Sequence, residues 1–257
     1  MFGFGFGNRR VVMGGGGPPP PFDPATKPLT GWWKADDYDD VTPYLPGTAS
    51  AGPSGTRPLG DSVYGGAYIP PKGTGLNGHD YIDMTPDFFR WLNTTGVEMT
   101  SDYFDADGAS LLLFGTLEDS NTNEADPTAY NNASLFSIFS GFGGLTARND
   151  AGQLYIQAYV YDTLANTNVR EFPVNAGDSH LFQFRLAGGV LEFRLGRGAW
   201  STMASGDISF MGTYLATVAN VGSAKAKVQE IMTAKAMAQS EFDDFCDYFE
   251  AVYGVVL

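Results

Sequence analysis

The 257-residue sequence predicts an all-β body that ends in a single amphipathic α-helix. Three observations lead to this prediction. From Leu29 onward, short apolar runs are separated by Gly, Asn, Asp and Pro, as is typical of strands joined by turns. Several of these runs alternate apolar and polar residues, which indicates half-buried strands. After Ser240, apolar residues recur at spacings of three and four, which indicates a helix.

The clearest strand is predicted over residues 154–162. Apolar residues occupy every second position from Leu154 to Val160, so they would share the face toward the core. The opposite face would carry three tyrosines and a glutamine: Tyr155, Gln157, Tyr159 and Tyr161. Further strands are predicted at 110–117, 134–139, 208–211 and 225–233.

A β-hairpin is predicted from two neighbouring segments. Residues 180–186 and 190–195 both alternate, and Gly188 and Gly189 between them supply the turn. On the second strand, Leu191, Phe193 and Leu195 would share one face.

The C-terminal helix is predicted from a stripe formed by Phe242, Phe245, Phe249 and Val252. Ser240 is expected as its N-cap, and Gly254 is expected to end it. Cys246 lies in this segment, and we interpret it as a small core residue rather than a nucleophile. Near the start of the body, Trp32 and Trp33 are expected to be one core residue and one rim residue.

Residues 1–28 form a predicted N-terminal arm, and residues 29–257 form the predicted body. Seven of the first 17 residues are glycine, and four prolines follow at 18–21. Glycine is costly to order, and a proline run favours a stiff extended segment. One interpretation is a disordered tail. The other is an arm that becomes ordered against a partner. Its anchors would then be Phe2, Phe4, Phe6, Arg9 and Arg10.

The charge balance excludes several classes of partner. The sequence has 15 Lys and Arg against 29 Asp and Glu, a net charge of −14. We therefore expect no binding to nucleic acid or to an anionic membrane surface.

The single cysteine excludes an internal disulfide. No apolar run is long enough for a membrane span, and a signal peptide is not expected.

Three segments resemble the concanavalin A-like lectin/glucanase superfamily in its laminin-G-like form. They are PLTGWWKADDYDD at 28–40, LNGHDYIDM at 76–84 and KVQEIMTAKAMAQSEFDDFCDYFEAVYGV at 227–255. They resemble, in order, that superfamily's first strand, a later strand, and its closing strand and helix. The resemblance covers all of the chain but the arm. It implies a jelly-roll sandwich of two antiparallel sheets, and it does not fix the function.

Catalytic and metal sites are not predicted. The superfamily's glucanases carry a Glu-x-Asp-x-x-Glu pattern on one strand, whereas the nearest string here begins at Glu241 on the predicted helix and ends in Cys246. No cofactor is expected. Asp105 and Asp107 precede Gly108, and a calcium ion near them is an open alternative to an acidic surface loop.

A glycan-binding surface is the remaining candidate site. Lectins stack aromatic side chains on sugars and add a few polar groups. The tyrosine face of 154–162 would supply the rings, with arginines from the hairpin beside it on the same sheet. The candidate residues are Tyr155, Gln157, Tyr159, Tyr161, Arg185, Arg194 and Trp200. An ordinary outer β face or a protein–protein contact are the alternatives.

The resemblance, whose laminin-G-like form is common in bacterial and phage proteins, and the composition of the arm together imply a non-enzymatic structural protein of a tailed phage or phage-like particle. It would decorate the capsid, form a head spike or fibre, or belong to the tail. It would be assembled in the host cytoplasm and located in the virion. The arm would contact other virion proteins, and the body would form a homo-oligomer and could contact host surface glycans. The alternative is a free-standing carbohydrate-binding module, and a glycoside hydrolase is less favoured.

Overall fold

The computed structural model describes twelve stretches of the chain: 22–40, 44–45, 59–60, 70–85, 92–94, 108–119, 133–137, 143–162, 166–188, 190–205, 220–221 and 225–257. In chain order the strands are β1 (Leu29–Lys34), β2 (Tyr44–Leu45), β3 (Leu59–Gly60), β4 (Lys72–Leu76), β5 (His79–Asp83), β6 (Leu92–Thr94), β7 (Gly108–Asp119), β8 (Ala133–Ser137), β9 (Gly143–Asp150), β10 (Gln153–Asp162), β11 (Asn166–Val174), β12 (Ser179–Ala187), β13 (Val190–Leu195), β14 (Ser201–Ser205), β15 (Asn220–Val221) and β16 (Lys225–Ala234). One α-helix, α1 (Gln239–Tyr253), follows the last of these strands.

The described strands form two antiparallel sheets. The first has the order β14-β13-β12-β7-β16-β5-β4, and β1 also pairs with β16. The second has the order β11-β10-β9-β8-β15-β6-β3-β2. The predicted all-β sandwich with a C-terminal helix is therefore confirmed.

The predicted strands agree with the observed ones where they can be compared. The segment 154–162 lies within β10, and 180–186 and 190–195 form the β12–β13 hairpin. Gly188 turns this hairpin with a φ of 55°, in the region that glycine occupies at no steric cost. The predicted strand at 208–211 lies outside the described residues.

The main core lies between the two sheets. Alternate residues of β10, such as Ile156 and Ala158, contribute to it from the second sheet. Trp33, Leu113 and Phe193 contribute from the first sheet and are almost fully buried. Period-two alternation thus identified the core-facing side correctly.

A second apolar cluster covers the opposite side of the first sheet. Here α1 packs on the sheet through Phe242, Phe245 and Phe249, which are fully buried. The helix and the second sheet together bury β7 on both faces, and Gly108–Leu117 is buried without interruption. The continuous apolar run at 111–114 is the sequence counterpart of such double burial.

The helix begins earlier than expected. Its N-cap is Ala238, and Ser240 lies inside the first turn. The backbone N–H of Ala238 donates to the Glu241 carboxylate at 2.8 Å, so the helix start has the glutamate half of a capping box, and no side chain at the N-cap accepts from the first turn. Gly254 ends the helix in the left-handed conformation, as predicted, and Cys246 is fully buried, as predicted.

The described end of the predicted arm contacts the body. The Phe22 ring packs edge-on against Phe245 at 5.0 Å, and Pro24 is buried. Lys27 donates to Glu241 at 3.1 Å. Residues 22–28 therefore pack with the body, whereas the anchors proposed at Phe2, Phe4, Phe6, Arg9 and Arg10 lie outside the described residues. Within the described part of the chain, no helix is long and apolar enough to span a membrane.

Candidate functional site

The predicted glycan-binding strip is divided between the two sheets. Tyr155 and Gln157 lie on β10 in the second sheet, whereas Arg185 and Arg194 lie on β12 and β13 in the first. The prediction that they share one sheet is wrong. The β12–β13 hairpin pairs with β7, and β10 pairs instead with β9 and β11.

Gln157 cannot contact a ligand in this arrangement because its side chain is fully buried. Its amide N–H donates to Glu171 at 2.6 Å, and its amide oxygen accepts from Thr146 at 3.3 Å. Arg148 binds the same Glu171 carboxylate through two nitrogens, at 2.9 and 3.2 Å. Its guanidinium lies 4.8 Å from the centre of the half-buried Tyr155 ring. The side chains of Tyr159 and Tyr161 lie outside the described part of the chain.

Of the two predicted arginines, Arg194 links the first sheet to α1, and Arg185 links it to the segment just before α1. Arg194 is 5% exposed and donates to Asp243 of the helix at 2.7 Å and to Gln183 at 2.8 Å. Arg185 donates to Glu192 at 2.7 Å and to the Met237 carbonyl at 3.1 Å. Arg194 is therefore almost fully buried beneath α1 and Arg185 is half-buried, so neither lies beside the tyrosine face as expected, and their part in a glycan surface stays a prediction.

Trp200 belongs to the same helix-packing region. Its ring packs edge-on against Phe242 at 4.9 Å, and the Arg194 guanidinium lies 4.8 Å from the ring centre. Trp200 is half-buried, and its described contacts are with the helix and with Arg194 rather than with the tyrosine face.

A groove with aromatic walls lies between β1, α1 and the segment that precedes β1. Its volume is about 780 Å³. We call it the aromatic groove, and we define it by three aromatic residues and four charged ones: Phe22, Trp32, Tyr248, Asp23, Lys34, Asp244 and Asp247. Sequence reasoning did not identify this site.

Strand alternation places the groove's central ring. Trp33 is buried in the main core, so Trp32 and Lys34 project to the other face of β1. This confirms the expectation of one core tryptophan and one rim tryptophan. The Trp32 and Tyr248 rings meet edge-on, with their centroids 6.4 Å apart. The Lys34 ammonium lies over the Trp32 ring, 3.9 Å from its centroid.

A buried carboxylate fixes these walls from behind. Glu230 of β16 is 1% exposed and accepts hydrogen bonds from the Trp32 indole N–H, from the Tyr248 hydroxyl at 3.1 Å and from the Tyr253 hydroxyl at 2.7 Å. Burial raises the pKa of Glu230, while the three donors and the charge of Lys34 act in the opposite direction. Burial and the neighbouring Glu230 also raise the pKa of Tyr248 and Tyr253. Both hydroxyls therefore stay protonated as donors.

A second depression of about 670 Å³ lies where β12 begins and β13 ends. Its polar lining includes Asn77, Asp178, His180 and Arg197. Burial lowers the pKa of His180, and its Nε2 has no hydrogen-bond partner among the described residues. Arg197 is held by Glu250 at 2.7 Å and by Asp247. No Phe, Tyr or Trp of the described residues lines this depression.

The described residues contain no group of three or more His, Cys, Asp or Glu side chains that could hold a metal ion. Asp105 and Asp107, where a calcium ion was an open alternative, lie outside the described residues.

Comparisons with known proteins give a likeness of fold. No family model matches the chain, and no curated protein sequence matches it. Among solved structures, the binding domain of Paraclostridial Mosquitocidal Protein 1 matches over 86% of this chain and 52% of its own length, with a TM-score of 0.54 and 9% identity. This chain thus spans about half of that domain. The match supports the β-sandwich, and membership of the concanavalin A-like superfamily stays a prediction.

Two further structures match with lower scores. The CBM2 module of the evolved Dit of Lactobacillus casei BL23 phage J-1 has a TM-score of 0.39 and 14% identity, over 63% of this chain and 78% of its own. The binding domain of botulinum neurotoxin serotype G has a TM-score of 0.47 and 9% identity, over 87% of this chain and 51% of its own.

Proposed function

We propose that this chain is a non-enzymatic, glycan-binding β-sandwich carried on a phage or phage-like particle, and that the aromatic groove is its glycan site. The observation that carries the proposal is the pair of half-buried rings, Trp32 and Tyr248, set at a groove lined with carboxylates. Sugar rings offer apolar C–H faces and hydroxyl groups. Aromatic faces beside a few oriented polar groups match both features.

The groove is also built to hold its shape. Glu230 fixes the indole of Trp32 and the hydroxyl of Tyr248 from the same side. Phe22 packs on the helix that carries Tyr248, so the third ring is held as well. Rings that are already ordered lose little conformational entropy on binding. This lowers the cost of binding a ligand that makes only weak contacts, such as a sugar.

The test is a glycan array probed with the full chain and with two variants. Trp32→Ala should reduce binding by about 30-fold, the loss typical of an aromatic anchor worth about 2 kcal/mol. Tyr155→Ala is the matched control, because it removes a half-buried ring from the other sheet. Loss of binding in Tyr155→Ala with none in Trp32→Ala would move the site to the second sheet. An array with no signal, repeated on the assembled oligomer, would contradict the function.

The absence of hydrolysis is part of the proposal. Several strand carboxylates are neutralised by basic partners: Glu171 by Arg148, Glu192 by Arg185 and Glu118 by Lys227. Burial raises the pKa of Glu230, as a general acid requires, but Glu230 is 1% exposed and does not line the groove. Reducing-sugar release from a polysaccharide panel, abolished by Glu230→Gln, would contradict this part of the proposal.

Attachment to a particle is proposed from the composition of the N-terminal arm. Its alternating Phe and Gly residues and its proline run suit a segment that becomes ordered against a neighbouring subunit. Phe22 and Pro24 pack with the body, so the informative deletion removes residues 1–21 rather than 1–28. Binding of the full chain to purified particles, lost in the deletion, would support the arm as anchor. Equal binding by both forms would overturn it.

A homo-oligomer is proposed on energetic grounds. Several weak sugar sites on one particle raise the effective affinity without any new contact. Light scattering of the purified chain measures the number of copies, and a monomer at all concentrations would contradict this part.

A further inference from the structure

Resting on the proposed function, we propose that the aromatic groove selects glycans that carry free amino groups. The ligand would be an amino sugar whose nitrogen is not acetylated, so that it bears a positive charge near neutral pH. Its ammonium would lie on the face of Trp32, where the ammonium of Lys34 lies in this structure.

The first argument is that the Trp32 ring already holds a cation. The Lys34 ammonium lies 3.9 Å from the ring centroid, well within the range of a cation–π interaction. No ion pair joins Lys34 to a carboxylate of the described residues. Lys34 thus shows that an ammonium group fits over the Trp32 ring. Its side chain is flexible, so a ligand ammonium can take its place.

The second argument is the charge of the lining. Three carboxylates line the groove, those of Asp23, Asp244 and Asp247, against one ammonium, that of Lys34. Two of the carboxylates have basic partners outside the lining: Lys27 lies 3.7 Å from Asp244, and Arg197 binds Asp247.

Asp23 is the lining carboxylate with spare charge. It accepts one hydrogen bond, from the Ala25 N–H at 2.9 Å, and no cation within the described residues pairs with it. Its side chain is exposed. A ligand ammonium over Trp32 would therefore have a counter-charge in the same groove.

An acidic sugar is the competing ligand, because Lys34 could bind a carboxylate. The lining does not favour it, since the unpaired charge of Asp23 offsets that of Lys34, and the carboxylates of Asp244 and Asp247 already hold the nearby basic side chains Lys27 and Arg197. The net charge of −14 acts in the same direction at longer range. The observations therefore favour the cationic ligand.

The experiment compares two ligands that differ only in the acetyl group. Isothermal titration measures binding of a β-1,4-linked tetramer of glucosamine and of the corresponding tetramer of N-acetylglucosamine. We expect the acetylated tetramer to bind on the order of tenfold more weakly. Equal or tighter binding of the acetylated tetramer would overturn the inference.

Lys34→Met tests whether Lys34 occupies the position of a ligand ammonium or contacts the ligand itself. Methionine keeps an unbranched side chain and removes the competing charge. Binding of the glucosamine tetramer should tighten by about threefold or more, because the Trp32 face becomes free. Weaker binding in Lys34→Met would mean that Lys34 contacts the ligand directly, and would overturn the inference.

Asp23→Asn tests the counter-charge, and asparagine can still accept from the Ala25 N–H. It should weaken binding of the glucosamine tetramer severalfold. Asp178→Asn is the matched control, because it removes one exposed aspartate outside the groove. Equal weakening in both variants would indicate non-specific attraction to an acidic protein and would overturn the inference.

The outcomes also separate this inference from the proposed function. A neutral or acidic glycan that binds the full chain and is lost in Trp32→Ala would leave the groove as a glycan site and overturn only the preference for amines. No binding to any glycan, the glucosamine tetramer included, would remove both.

Discussion

Tyr253→Phe is the most selective way to perturb the buried Glu230 carboxylate behind the groove. It removes one hydroxyl, which donates to Glu230 at 2.7 Å, and leaves the ring in place. The centre of that ring lies 4.5 Å from the centre of the Phe114 ring and 5.9 Å from that of Phe249. Because the ring stays, the variant preserves the packing of α1. The variant therefore measures the hydrogen bond and little else.

The size of the effect depends on the charge of Glu230. A hydrogen bond to an ionised group contributes about 1.5–3 kcal/mol, whereas one between neutral groups contributes about 0.5–1.5 kcal/mol. Burial raises the pKa of Glu230 above its usual value of 4.5, so this carboxyl is protonated at about pH 4 and ionises only as the pH rises. We expect Tyr253→Phe to cost about 1 kcal/mol at about pH 4 and about 2 kcal/mol at about pH 9.

The assay measures the free energy of unfolding by urea at both pH values. It compares four proteins: the parent chain, Tyr253→Phe, Glu230→Gln and the double variant. With glutamine at position 230, the tyrosine hydroxyl should contribute about 1 kcal/mol at both pH values, because no charge develops. The same cost of Tyr253→Phe at both pH values in the parent background would refute the reasoning. A cost below about 0.5 kcal/mol at the higher pH would refute the hydrogen bond itself.

Three further predictions concern the helix and the core beneath it. Phe249→Ala removes a fully buried ring and should lower the free energy of unfolding by urea by about 3–5 kcal/mol, whereas Val252→Ala, at a position 38% exposed on the same helix, should change it by less than about 0.5 kcal/mol. Because burial raises the pKa of Glu230, its protonated carboxyl stabilises the fold fully below pH 4.5, and this stabilisation is lost as the pH rises through the raised pKa. The free energy of unfolding should therefore fall with rising pH in the parent chain, and Glu230→Gln should remove that part of the fall. Burial also raises the pKa of Cys246, so a thiol reagent should label it only as fast as the protein unfolds, and rapid labelling of the native protein would contradict its placement.

Local patterns in the sequence predicted much of the described fold. Alternation in 154–162 and in the 180–195 hairpin identified β10, β12 and β13, and the phenylalanine stripe identified α1. These signals are local, because the period of a strand or of a helix can be recognised within a single short segment. Gly254 was predicted correctly for the same reason, since a left-handed helix end favours glycine wherever it occurs.

The aromatic groove was not predicted, and the predicted glycan-binding strip was not brought together, because alternation shows that a strand has two faces and not what covers them. Arg194 and Gln157 occupy polar positions of alternating strands, which suggested exposure, yet both are buried. In the first sheet α1 covers the face that carries Arg194, and that packing joins segments far apart in the chain.

The aromatic groove depends on the same long-range packing. Trp32 and Glu230 are 198 positions apart in sequence, and Tyr248 reaches Glu230 from the helix. Strand alternation places Lys34 on the same face of β1 as Trp32, but nothing near Trp32 in the chain indicates the carboxylate behind its ring. The sequence by itself determined the strands, the helix and the acidic charge, because these follow from local periodicity and composition. Only the tertiary structure decided which rings and carboxylates share a groove, because that depends on how the helix closes over the sheet.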